Sequence, residues 1–113
     1  MSDAEYRILF MVRHEYFDTI VAGTKTFELR RNSPRWNSMA WKAMKGLNDG
    51  SPVTAVFTCG RQRVHRRRIT GVDWWGDAER ALGRPPTPEE RAFLGDGDVV
   101  CFELGEAIGE VPK

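Results

Sequence analysis

Apolar residues change their spacing several times along the chain, and each change marks an element. Residues 6–12, YRILFMV, form an almost unbroken apolar run, which predicts a short strand buried on both faces. In HEYFDTIVAG the period lengthens: Tyr16, Phe17, Ile20 and Val21 fall on one helical face, and Gly23 stands where a left-handed helix stop is favoured. KTFELRR returns to alternation, with Phe27 and Leu29 on one side and Thr26, Glu28 and Arg30 on the other. The first third therefore predicts strand, short helix, strand.

The middle of the chain predicts a further helix between two loops. Asn37 or Ser38 could cap it, and Trp36, Ala40, Ala43, Met44 and Leu47 would form its apolar stripe. NDGSP is turn chemistry, VTAVFTCG is a strand, and RQRVHRRRITGVDWW is a long strand running back antiparallel to it. In TPEERAFLG, Thr87 is the expected cap, Pro88 the first helical residue and Glu90 the return partner of a capping box. DGDVVCFELG supplies a last apolar strand. Short strands interrupted by helices do not repeat as strand-helix-strand units. The expected fold is α+β, a small, partly closed antiparallel β-barrel of five or six strands with short helices inserted.

Length and composition narrow this picture. A chain of 113 residues fits one domain, here 1–113, and 41% hydrophobic content supports a modest core. The formal net charge of +1 excludes a strongly cationic coat protein, but it conceals an uneven distribution. Arg61, Arg63, Arg66, Arg67 and Arg68 lie within eight residues, while acids gather toward the C-terminus. Cys59 and Cys101 sit apart in apolar runs, as buried free thiols of a reducing compartment do. No apolar stretch approaches the ~20 residues that span a bilayer, and no secretory leader is evident, so a cytoplasmic protein without a membrane partner is expected.

The stretch AGTKTFELRR carries the most unusual chemistry. Its spacing Gly-x-Lys-x-x-Glu-x-Arg, here Gly23, Lys25, Glu28 and Arg30, follows a strand and a short helix and resembles the hallmark of the ASCH family. The resemblance implies a PUA-like β-barrel with a cleft lined by the motif residues, and an RNA, nucleotide or modified nucleoside as partner. It also makes residues 33–50 a helical insertion. One branch of that family removes the acyl group from N4-acylated cytidine and uses a lysine, a threonine and a glutamate. Lys25 matches the first; Glu28 stands where the threonine belongs, and the acidic position falls near Gly83 or Arg84, so two of three depart. A ribonuclease activity is associated with other relatives.

Each candidate residue has a plain reading beside the functional one. Lys25 follows a helix C-terminus, where a cation is favoured anyway, or it lines the cleft as a ligand contact or base. Glu28 and Arg30 are a simple ion pair, or a carboxylate accepting from a base amine beside a guanidinium that grips phosphate bidentately. Arg31 continues that basic run. In the arginine strand, Arg61, Arg63, His65 and Arg67 face one way and Gln62, Val64, Arg66 and Arg68 the other. Charge on both faces predicts a protruding hairpin end, either merely solvated or tracking phosphates through Arg61, Arg63 and Arg67. Trp36, near the expected cleft mouth, is the favoured platform for a stacked base. His14 and His65 lack ligand-spaced partners, so neither metal nor cofactor is expected. An RNA- or nucleotide-binding monomer is thus the leading reading. The alternatives are an enzyme on the same scaffold, using Lys25 and Glu28, and a protein-interaction domain using the apolar face of the middle helix.

Overall fold

A computed structural model of the chain describes residues 6–60 and 63–108. Five strands, β1 (Tyr6–Met11), β2 (Phe27–Arg31), β3 (Val53–Cys59), β4 (Arg63–Trp75) and β5 (Val99–Ala107), form one sheet in the order β1-β3-β4-β5-β2. Four helices lie between them: α1 (His14–Ala22), α2 (Pro34–Asn48), α3 (Ala78–Leu82) and α4 (Pro88–Leu94). Three of the four strand pairings are antiparallel, and β1 runs parallel to β3. The fold is α+β, as expected, a sheet curled into a half-barrel.

The curl has a local cause. β4 is the longest strand, 13 residues, and its register with β5 slips between Arg67 and Ile69 and again between Ile69 and Gly71. Such irregularities bend and twist a strand. Its first half pairs with β3 and its second half mainly with β5, so the bend turns one end of the sheet toward the other. Phe10, Phe57, Phe102, Ile8, Ile20 and Ile69 fill the concave side, each almost wholly buried.

α1 and α2 close the concave side, while α3 and α4 cover the opposite face of β5 and β2, where Leu29, Ala78, Leu94, Val99 and Cys101 form a second small core. α1 contributes Phe17 and Ile20 only; Tyr16 and Val21, expected on the same buried face, are exposed. α1 ends on Gly23, whose φ of 82° is the left-handed conformation the sequence called for, and its N–H returns to carbonyls of the last turn. Ser33 caps α2, not Asn37 or Ser38, with Pro34 in the first turn; the helix therefore begins earlier than its apolar pattern indicated. Ala40, Ala43 and Gly46 face the sheet. A Cβ on Gly46 would stand 2.7 Å from both Tyr6 and Val53, so only glycine allows this approach. Because that stripe is spent against the sheet, and Met44 is half-buried, the apolar face expected to receive a protein partner points inward.

Two strand expectations are corrected. β1 is not buried on both faces: Leu9 and Met11 are 56% and 80% exposed, because β1 is an edge strand with solvent on its convex side. Nor is the arginine strand solvated on both faces. His65 and Arg67 turn inward, and Arg67 is only 6% exposed.

Candidate functional site

The two edges of the sheet, β1 and β2, approach each other without pairing. Across this seam Arg30 donates from Nη2 to the carbonyl of Met11, 3.3 Å away. Beside that bridge lies a cleft of about 150 Å³. Met11, Val12 and Arg13 at the end of β1 form one wall, and Phe27, Glu28, Leu29 and Arg30 of β2 another. Lys25 enters from the loop before β2, Tyr16 from α1, and Glu89, Glu90, Phe93 and Leu94 from α4. Three of the four motif residues thus meet in one place. Gly23 does not line the cleft; it ends α1 and so starts the turn that delivers Lys25.

The carboxylate of Glu28 is the hub. Arg30 approaches Oε2 through Nε at 2.9 Å and Nη2 at 2.8 Å, and Lys25 Nζ stands 3.4 Å from Oε1. Glu28 and Arg30 are both buried, with 5% and 7% of their surface exposed, while Lys25 keeps access to solvent. Arg30 is further enclosed by rings: its guanidinium carbon lies 5.1 Å from the Phe10 centroid, 4.9 Å from Trp36 and 5.3 Å from Phe93. The fork expected to grip phosphate is therefore occupied by Glu28 and Met11, and Arg30 holds Glu28 in position. Trp36 is corrected likewise. It stacks on Phe10 at 5.2 Å and meets Phe102 edge-on, so it packs in the core instead of offering an open platform.

The other basic candidates separate. Arg67 donates to the carbonyls of Gly105, Ile20 and Lys25, and burial lowers its pKa. It is a pin that holds the motif loop against β5, not a phosphate contact. Arg31 donates to the carbonyls of Ala92 and Phe93 and so clamps the end of α4 to β2, outside the cleft. Arg63 pairs with Asp18 at 2.9 Å and lies over Phe17. Arg61 lies outside the described residues. Arg66 and Arg68 are on the convex side with Val64, and Arg68 stands only at 3.9 Å from Glu106.

Several cleft residues were not singled out from the sequence: Arg13, Tyr16, Glu89 and Phe93. Arg13 reaches Glu89 across the mouth at 2.6 Å. Burial, then the Glu89 carboxylate, raises the Tyr16 pKa. No local pattern announces these residues, because they come from three elements that only the fold brings together. The structure also places His14 Nδ1 3.3 Å from Cys59 Sγ, a contact that a sequence separation of 45 hides. Cys101 is core-like, its thiol pushed up to about 11 by burial and by Asp73 and Glu103. Among the described residues no His, Cys, Asp or Glu group is arranged for a metal ion, and no helix is long and apolar enough to cross a membrane.

The curled five-stranded half-barrel with four helices is a fold shared with solved ASCH structures. A family model described as "ASCH domain" matches residues 10–41, which span the end of β1, the motif and the start of α2. Among solved structures, the chain is similar to an ASCH protein from Zymomonas mobilis, with TM-score 0.60, 17% identity and coverage of 88% of this chain and 67% of that one. A serine-to-alanine mutant of ASCH from the same organism aligns with TM-score 0.62 and 18% identity, covering 88% and 68%. No curated protein matches the sequence significantly. The match to the ASCH domain is thus confined to residues 10–41, less than half of the chain, and the solved structures share its fold.

Proposed function

We propose that this chain is an RNA- or nucleotide-binding module whose ligand enters the cleft formed by Lys25, Glu28 and Arg30. The observation that carries the reading is the convergence of these three motif side chains at the seam between β1 and β2, where the sheet leaves room for a ligand. Lys25 is the contact residue, Glu28 the acceptor, and Arg30 the group that positions Glu28. Arg66 and Arg68 supply the phosphate contacts. They lie on the convex side, two strands from β1, a distance of about 10 Å at the usual strand spacing.

Anisotropy of a labelled single-stranded RNA tests this. Affinity should fall steeply between about 50 mM and about 200 mM salt, and Arg66→Ala or Arg68→Ala should each lower the salt slope by about one unit. Absence of binding, or binding indifferent to salt and to both substitutions, would reject the proposal. The Lys25–Glu28 contact favours one second reading, a hydrolase acting on RNA or on an acylated cytidine. Turnover of labelled RNA or N4-acetylcytidine that disappears in Lys25→Ala would establish it.

A further inference from the structure

The charged groups of the cleft are paired with one another. The cleft walls carry three cations, Arg13, Lys25 and Arg30, and three carboxylates, Glu28, Glu89 and Glu90. All are engaged: Arg13 with Glu89, Lys25 and Arg30 with Glu28, and Glu90 with Arg84 outside the cleft. A phosphate entering this space finds each cation already paired and gains one only by taking it from a carboxylate. The remaining wall is largely apolar, with Phe27, Leu29, Leu82, Phe93 and Leu94. At about 150 Å³ the space is below the ~300–1,000 Å³ of pockets for drug-sized molecules, which suits one small ring.

Among these paired groups one acceptor is unspent. Glu28 Oε1 is buried and receives no hydrogen bond, although Oε2 of the same group is bound by Arg30. Lys25 Nζ covers Oε1 at 3.4 Å, close enough for attraction between charges but not aligned as a donor. Its side chain is a quarter exposed, so it has room to swing outward. That movement uncovers an acceptor with a movable donor beside it. The complementary ligand edge presents an N–H next to a carbonyl or ring nitrogen, the amide or amidine edge of a nucleobase.

The geometry points to a specificity device: the cleft takes an unpaired, uncharged heterocycle by its amide or amidine edge and leaves phosphate outside. This rests on the reading of the cleft as a nucleotide site. Glu28 Oε1 accepts the ring or amine N–H, Lys25 donates to the neighbouring acceptor, and the apolar wall covers the ring. A base already paired in a duplex has that edge occupied and is refused.

Calorimetry on the intact chain tests this with the four ribonucleosides, their 5′-monophosphates and neutral blocked forms. The blocked forms are 3-methyluridine, 1-methylguanosine, N4,N4-dimethylcytidine and N6,N6-dimethyladenosine. At least one nucleoside should bind, with its monophosphate within about threefold and its blocked form weaker by about tenfold or more. Glu28→Gln should remove that preference for the open edge. Lys25→Met, which leaves the Arg30–Glu28 pair intact, should weaken the open nucleoside by a similar factor and serves if the first variant does not fold. Equal binding of open and blocked forms, a monophosphate bound tenfold tighter, or no nucleoside binding overturns the inference. RNA binding with no nucleoside binding would sink this inference alone, whereas nucleoside binding of the stated pattern without RNA binding would sink only the RNA reading.

Discussion

Arg30 and Lys25 lean on the same carboxylate, yet their contributions to stability differ in kind. Arg30 is buried, tied to Glu28 and Met11, and ringed by Phe10, Trp36 and Phe93. Removing one partner of a buried pair leaves the other uncompensated, which typically costs about 3–5 kcal/mol. We expect Arg30→Leu to lower unfolding free energy by about 3 kcal/mol in urea titrations. Lys25→Met should cost less than about 1 kcal/mol, because its ammonium remains in contact with water. Nearly equal losses would mean that Arg30 is not the anchor. The same contrast separates Arg67 from Arg66, adjacent in sequence and opposite in facing. Arg67→Ala strips donors from three carbonyls and should destabilise by about 2–4 kcal/mol; Arg66→Ala should change stability by less than about 0.5 kcal/mol.

Among the elements, α4 is the clearest case of local chemistry making a structure that then walls the cleft. Thr87 accepts from the Glu90 N–H and Glu90 accepts from the Thr87 N–H, so the capping box legible in TPEE forms as expected. Loss of such a cap costs about 1 kcal/mol, so Thr87→Ala should lower the thermal midpoint by several degrees. The helix also responds to pH. The Arg84 guanidinium, with the Thr87 N–H, holds the Glu90 carboxyl down to about 2 from an ordinary value of 4.5. This contribution is fully present above about pH 4.5 and is lost as pH falls toward 2. Glu90→Gln should flatten that limb of the stability-against-pH curve; an unchanged acid limb would show that the pair does not act in solution. Not every element was so readable. α2 was placed by its stripe but began at Ser33–Pro34, because a cap acts on free N–H groups at the helix end, wherever apolar periodicity starts.

The whole molecule is organised by where its sheet ends. β1 leaves backbone groups facing away from β3, and two side chains cover part of that edge: Lys42 donates to the Arg7 carbonyl and Arg30 to that of Met11. β5 lies between β4 and β2, and Val99, Val100, Cys101 and Phe102 form a run of four buried residues. Hydrogen exchange should therefore be slowest in β5 and its β4 partners, with β1 and α4 opening first. Uniform protection across all five strands would contradict this order.

Local chemistry in the sequence determined the elements: apolar period, the Gly23 stop, the Thr87 box and the long arginine strand can each be read within a few residues. The charge group Lys25, Glu28 and Arg30 was also legible, since alternation along a strand sends Glu28 and Arg30 the same way. Its geometry was decided by tertiary structure alone. Which arginine lies inside depends on how β4 bends; the use of Arg30's fork depends on β1 and β2 meeting at a seam; Trp36's packing depends on α2 lying close over the sheet. These are contacts between residues distant in the chain, and their energies come from burial, which no local pattern specifies.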